Sequence, residues 1–397
     1  MMDEPTLAEW LDRHHVNIIR TLAVLADGTS TGEYVHRSQF EATFPLGNLS
    51  PVASAYLSPD LNTLISDGTD PNLGHVICDL RTAAGEPTAL CPRSTLKRLC
   101  AEARSRQQLP SISARLCFCL YADSVETMRA NNYTAGPAIA PASRRIHRSY
   151  EISRYMNEVI SRLEWKHIGW HSWQNTPARD QVALVLAPDE PLVLADHLML
   201  TRIVMYEVAV DMDMAVTFMA RPSANVWNSL NFDTEFDSPG GEPNFAHWVA
   251  GLRANLAATT CLGRPGASAW SPNPDGCDAP EAGVITSPDM PGRFCLAGGA
   301  ANLNPYLVLA GMMAAGLAGG HIELPGRPEP GIQPAEPEAA LGALLDNPVL
   351  RSGLGSPLVN EWVAGQRKLL VALQEHTTSG ASSRISDWAL QREFECF

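Results

Sequence analysis

The stretch from Asn304 to Gly320 constrains the fold of this chain more than any other. Asn304 supplies an amide that can cap a first helical turn, and Pro305 suits the first helical position, where no N–H is needed. Tyr306 to Leu317 is apolar with Gly and Ala interspersed, and Gly319-Gly320 ends the run. Such a helix is too short to span a hydrocarbon layer of about 30 Å. Being apolar on every side, it has to be enclosed by other elements. The fold must therefore provide a deep interior, and a chain of 397 residues with 45% hydrophobic and 18% charged residues can do so. One large domain with a smaller one attached, or two comparable domains, fits that length.

The net charge of -14 and the absence of any Lys/Arg run argue against nucleic acid or an anionic membrane as partner. Met1-Met2-Asp3-Glu4-Pro5 is acidic with no apolar stretch behind it, which predicts a cytoplasmic protein without a signal or transit peptide. Nine cysteines, an odd number scattered through such a chain, read as free thiols.

Ile18 to Asp27 and Gly32 to His36 read as two strands of a hairpin turning at Gly28, His75 to Leu80 as another strand, and Pro92 to Ala103 as a helix. The polar stretch Gln107 to Ser113 reads as a linker. The second part opens with the strand Ala114 to Tyr121 and an amphipathic helix from Ser149 to Leu163. Asp196 is expected to cap a helix over Leu198 to Val210, followed by a strand over Ala215 to Ala220. Loops are expected to prevail over 221–300, and Pro337 to Phe397 reads as helical with a break near Ser379 to Ser383.

Asp79-Leu80, Pro92-Arg93-Ser94-Thr95-Leu96-Lys97-Arg98, the stretch Ala215 to Pro222, Asn304-Pro305-Tyr306-Leu307 and Ser386-Asp387-Trp388 together resemble, in order and spacing, the type I glutamine synthetases and related γ-glutamyl amide ligases. The resemblance covers nearly the whole chain. It implies an α+β fold: a small β-grasp-like N-terminal domain (1–106) and a large C-terminal domain (107–397) with a curved antiparallel sheet flanked by helices, forming a funnel. It also implies a ring-shaped homo-oligomer, a hexamer or dodecamer, or a hetero-oligomer with an active homologue. In that family ATP phosphorylates glutamate, and ammonia or an amine displaces the phosphate. That chemistry needs oxygen-rich ligands for Mg or Mn and arginines for the charge on the transferred group.

The positions that correspond to those groups hold other residues. Two glutamates of the first sheet motif correspond to Arg115 and Cys117, and two of the next motif to Trp173 and Gln181. The family's His-x-His corresponds to Asn225-Val226-Trp227, and its last metal-binding glutamate and nearby arginine to Cys295 and Ala297. Ser268-Ala269-Trp270-Ser271-Pro272 has Pro272 where the family has an arginine. Asp180 and Asp289 are the nearest isolated acids. The resemblance therefore implies no metal site and no cofactor, with ATP and Mg or Mn entering only if ligase activity survives.

The pocket-lining candidates are Arg115, Cys117, Cys119, His171, Trp173, Gln181, Asn225, Trp227, Arg264, Trp270, Arg293 and Cys295, and no residue is assigned a catalytic role. Cys117 and Cys119 share a strand face, with Cys295 expected near Cys117. The cysteines read either as small apolar fillers or as a thiolate site completed by His171. His171 otherwise reads as a structural histidine, and Trp170, Trp173, Trp227 and Trp270 as packing residues or the wall of an aromatic ligand pocket. Three functions remain open: a pseudoenzyme acting as structural or regulatory subunit or small-molecule binder, an ATP-independent enzyme of specialised metabolism using the relined funnel, and a divergent γ-glutamyl amide or amine ligase.

Overall fold

The computed structural model describes residues 4–44, 51–52, 55–133, 150–176, 181–223, 226–236, 242–270, 283–287, 289–290, 292–321, 336–377 and 387–395. In the N-terminal part, α1 (Glu4–Arg13) precedes the hairpin of β1 (Ile18–Val24) and β2 (Ser30–His36), then α2 (Arg37–Thr43), β3 (Pro51–Val52), β4 (Ala55–Pro59), β5 (Ile65–Ser66), β6 (Leu73–Arg81) and α3 (Pro92–Ser105). The hairpin turns where expected, with Gly28 at φ 91°. The sheet runs β2-β1-β6-β4-β3, with β5 beside β6 and β1 parallel to β6.

This sheet has two apolar faces. Ile19, Ala23, Val76 and Cys78 pack against Leu7 and Leu11 of α1 and Phe40 of α2. Leu22, Val24 and Ile77, together with Leu96, Leu99 and Cys100 of α3, belong instead to the main core.

The C-terminal part begins with β7 (Ser111–Tyr121), α4 (Val125–Ala130), α5 (Tyr150–Trp165), β8 (Trp170–Asn175), β9 (Gln181–Leu186), α6 (Pro191–Asp211) and β10 (Ala215–Thr217). It continues with β11 (Ser229–Glu235), α7 (Glu242–Ala254), α8 (Leu256–Gly263), β12 (Gly283–Thr286), β13 (Arg293–Ala300) and α9 (Pro305–Ala318), and closes with α10 (Pro337–Asp346), α11 (Pro348–Leu354), α12 (Ser356–Thr377) and α13 (Asp387–Glu393). The curved sheet runs β12-β13-β11-β7-β9-β8, with β10 beside β7 and every pairing antiparallel. Alternation along the strands sends Ile112, Ala114, Leu116, Phe118 and Leu120 into the main core. The intervening residues form the opposite face. As the capping pattern requires, Asn304 Oδ1 accepts from the N–H groups of Tyr306 at 3.1 Å and Leu307 at 3.2 Å, and α9 is buried from Pro305 to Leu317. It packs against α3, α7 and α11.

Four sequence expectations are corrected. Ser111 to Ser113 is strand, not linker, because its backbone pairs with Thr234 and neighbouring residues of β11. α6 starts at Pro191, so Asp196 sits inside the helix, its carboxylate held by Arg93. The strand expected over Ala215 to Ala220 stops at Thr217. Within 221–300, β11, α7, α8 and β13 replace the expected loops. The helix break near Ser379 to Ser383 lies outside the described residues.

Candidate functional site

The second face of the curved sheet forms the floor of the candidate site. Cross-strand pairing assigns its residues: Cys119 lies opposite Gln181, Cys117 opposite Ala183, and Arg115 opposite Val185 on one side and Asn231 on the other. Gln174 of β8 pairs with Ala183, and Asp233 of β11 lies between Ser113 and Cys295. The floor runs from exposed Asp233 to buried Cys117, Cys119 and Gln181.

Amides and a thiol satisfy one another at the buried end. Gln181 Nε2 donates to the Trp227 carbonyl at 2.7 Å and to Asn228 Oδ1 at 3.0 Å, while its Oε1 accepts from Thr176 Oγ1 at 3.0 Å. Asn228 Nδ2 donates to the carbonyls of Thr217 and Met219 at 3.2 and 3.0 Å, and Cys119 Sγ donates to Asn228 Oδ1 at 3.4 Å. Trp227, 5% exposed, closes this end. It packs with Ala220, Ala269 and Ala300, and the guanidinium groups of Arg221 and Arg264 lie 5.7 and 5.8 Å from its ring centre. Arg264 also lies 5.7 Å from the Trp270 ring, and Trp270 Nε1 donates to the Arg264 carbonyl at 3.0 Å. Burial lowers the Arg264 pKa.

The turn carrying Arg264 and Trp270 is fixed from below by Glu393 of α13. Its carboxylate accepts from the Ala267 N–H at 2.5 Å, from the Ser268 N–H and from the Ser268 hydroxyl. Burial raises the Glu393 pKa, opposed by these donors. Gly266 sits at φ 84°, and a Cβ there would stand 2.8 Å from the carboxylate.

Several sequence candidates land elsewhere. Trp173 pairs with Leu184 and packs against the main core, so its side chain leaves the floor and Gln174 takes its place. A shift of one residue along a strand exchanges the faces. Cys295 shares the floor with Cys117 but lies two strands away and four residues along, roughly 16 Å by ordinary strand spacings. Burial pushes the Cys295 thiol up to about 12, Asp233 adds to the shift and Arg115 opposes it. His171 is exposed at a bulge on the edge strand β8, away from the enclosed setting of a structural histidine. Arg293 pairs with Glu235 at 2.6 Å at the exposed rim. Asn225, Asp180 and Pro272 lie outside the described residues, and Asp289 is exposed in the turn before β13.

Sequence reasoning missed Asn228, Asp233, Gln174 and Glu393. Alternation in Ser-Leu-Asn-Phe-Asp-Thr-Glu, 229–235, was the available signal for Asp233. Among the described residues no group of three His, Cys, Asp or Glu is placed to hold a metal ion.

Among the described residues the donor set does not fit the oxygen-rich shell that Mg or Mn with ATP would need: the floor offers thiols, amides and an arginine, with Asp233 separate from the buried end. It can hydrogen-bond a neutral polar group. It does not collect negative charge.

The fold and this floor define an α+β protein built on a curved antiparallel sheet with one polar face. Residues 89–280 match the family described as glutamine synthetase, catalytic domain. The chain is similar to a glutamine synthetase of Halobacterium salinarum, 25% identical over 86% of this chain and 83% of that protein. It is also similar to a glutamate–isopropylamine ligase of a Pseudomonas species, 24% identical over 78% and 79%. The solved structure of a GmaS/ADP complex superposes with a TM-score of 0.80, at 20% identity, over 96% of this chain and 98% of that one. The chain is thus similar to glutamine synthetases and to a γ-glutamyl amide ligase over most of its length, and its fold is glutamine synthetase-like.

Proposed function

We propose that this chain keeps the glutamine synthetase-like fold without metal- and ATP-dependent ligation, and serves as a structural or regulatory subunit, or as a binder of a small molecule in the relined funnel. The observation that carries this is the closed lattice of Gln181, Asn228, Thr176 and Cys119 under Trp227. Its hydrogen-bonding capacity is spent within the protein, and a metal arriving there would meet amide and thiol groups already engaged with one another. Assembly into a ring, alone or with an active homologue, belongs to the same reading. Purified protein given ATP, Mg or Mn, glutamate and ammonia is expected to release no ADP above background. Metal-dependent release on the order of 1 per second overturns the proposal.

A second reading is an amide or amine ligase that works with a different ligand set, favoured by the similarity to a glutamate–isopropylamine ligase and by Asp233 standing exposed on the floor. ATP that raises the melting temperature only with Mg or Mn present supports it, since a ligand bound by the native state alone stabilises that state. No such shift, with isopropylamine and glutamate also present, removes it.

A further inference from the structure

Beyond the closed lattice the polar face of the curved sheet opens, and two of its hydrogen-bond donors there are unused. Arg115 on the inner strand β7 is half-buried, as are Val185 opposite it on β9 and Asn231 opposite it on β11. Among the described residues Arg115 makes no hydrogen bond, ion pair or ring contact. A guanidinium carries N–H donors and no acceptor, so the group that completes it has to be an acceptor.

Asn231 is aimed by a bulge. Leu230 pairs with Gly299 and Phe232 with Leu296, so Asn231 faces Ala297 and Gly298 together. Gly298 takes φ 85°, which glycine adopts without strain, and its N–H donates to Asn231 Oδ1 at 3.2 Å. An amide whose oxygen is engaged in this way keeps its NH2 group as donor, and Asn231 Nδ2 has no partner among the described residues. Directly opposite residues of antiparallel strands have Cβ atoms about 5 Å apart. The guanidinium and the amide NH2 group therefore reach one bound group together.

Asp233 limits the charge such a group can carry. It is exposed on the same face, diagonal to Arg115 and opposite Cys295. Among the described residues it makes no ion pair with Arg115. A single negative charge is matched by Arg115, while a second meets the Asp233 carboxylate.

We propose that Arg115 and Asn231 form a metal-independent anion site for a small monocarboxylate. The planar carboxylate accepts two N–H groups from one edge of the guanidinium and a third from the Asn231 amide, and its apolar body rests on Val185. The site rests on the reading of this floor as a surface that binds a small molecule without a metal.

Phenylglyoxal, which modifies free guanidinium groups, tests it in EDTA at mildly alkaline pH. Mass spectrometry follows Arg115 and, as an internal control, the exposed Arg154. Butyrate is expected to protect Arg115 at concentrations on the order of 10 mM and to leave Arg154 unaffected. Butyramide, of the same shape without the charge, and inorganic phosphate, largely a dianion at this pH, are expected to protect about tenfold more weakly or less. Asn231→Asp keeps the shape and the Gly298 bond but sets a carboxylate beside Arg115, and is expected to make the modification of Arg115 insensitive to butyrate. Asp233→Asn is expected to improve protection by phosphate about threefold, as for a solvent-screened charge. No protection by butyrate, equal protection by butyramide, or protection undiminished in Asn231→Asp overturns the site. Phosphate protecting the unaltered chain as well as butyrate overturns the monocarboxylate class. ADP release in the ligation assay removes the metal-free reading of the floor; no ADP release together with an unprotected Arg115 removes the Arg115 site alone.

Discussion

Two polar centres are buried in this molecule, and they are built on opposite plans. At the junction of the N-terminal sheet with the main core, Arg93 bonds both oxygens of Asp196 at 2.9 Å and reaches Asp79 at 3.0 Å and Asp60 at 3.1 Å. Lys97 also reaches Asp60 at 2.8 Å, and the Tyr306 hydroxyl donates to Asp196 at 2.7 Å. On the sheet floor the buried end carries Gln181, Asn228 and Cys119 and, among the described residues, no carboxylate. A scaffold that holds three aspartates around one arginine tolerates buried charge. The neutral buried end is therefore a property of that site rather than of the fold, and charge is retained where matched partners surround it.

The largest test of the contrast removes Arg93. Arg93→Ala is expected to cost about 3–5 kcal/mol, because buried carboxylates lose their partner; a loss under about 1 kcal/mol in urea unfolding would mean that Lys97 and water replace it. The reverse test places charge on the floor. Gln181→Glu sets a carboxylate against the Trp227 carbonyl and Asn228 Oδ1, both acceptors, and is expected to cost about 1–3 kcal/mol. Recovery of that loss by Mn would show a latent metal site.

Acidification separates the two centres next. Burial opposes the charge of Asp60, but Lys97 and Arg93 outweigh it and hold its pKa at about 2, below the ordinary 3.8. Asp67, which accepts from His75 at 2.7 Å and Lys166 at 2.9 Å, is also held well below its ordinary value despite burial, and burial lowers His75. For all three the unfolded chain binds protons more readily, so stability is full above the unfolded pKa values and is lost as pH falls. Unfolding at stepped pH should show a first loss below about 6.5 from His75 and a larger one below about 4 from the aspartates. His75→Gln should remove the first step and leave the second. The smallest effect concerns Cys295. Its thiol, pushed up to about 12, is expected to alkylate with iodoacetamide at pH 7.5 far more slowly than a free thiol, and Cys295→Ala to change stability by less than about 1 kcal/mol. Rapid alkylation would make it a reactive group.

The helices and strands with caps or clean alternation were legible: Asn304-Pro305 marks α9, and Ala114 to Tyr121 alternates as β7 does. α6 was misplaced at its start because a helix buried nearly all round shows no apolar stripe, which left Asp196 as the most visible capping residue. β11 and β13 were hidden by small and polar residues that face the floor, and α7 and α8 by their Gly- and Pro-rich surroundings. At the site, Gln181 and Trp227 were singled out through the family resemblance rather than any local pattern, and they meet at the buried end of the floor, with Arg264 beside the Trp227 ring. Trp173 was taken for the floor because strand parity can only be settled by its partner, here Leu184. The distance between Cys295 and Cys117 depends on register across β11, which no local pattern encodes.

The two apolar faces of the N-terminal sheet bear on how the molecule comes apart. Since Leu22, Val24, Ile77 and the inner side of α3 are members of the same core as α9, residues 1–106 made alone would display that surface to water and self-associate. In a calorimeter the intact chain should melt in a single peak, with the van't Hoff and calorimetric enthalpies in agreement.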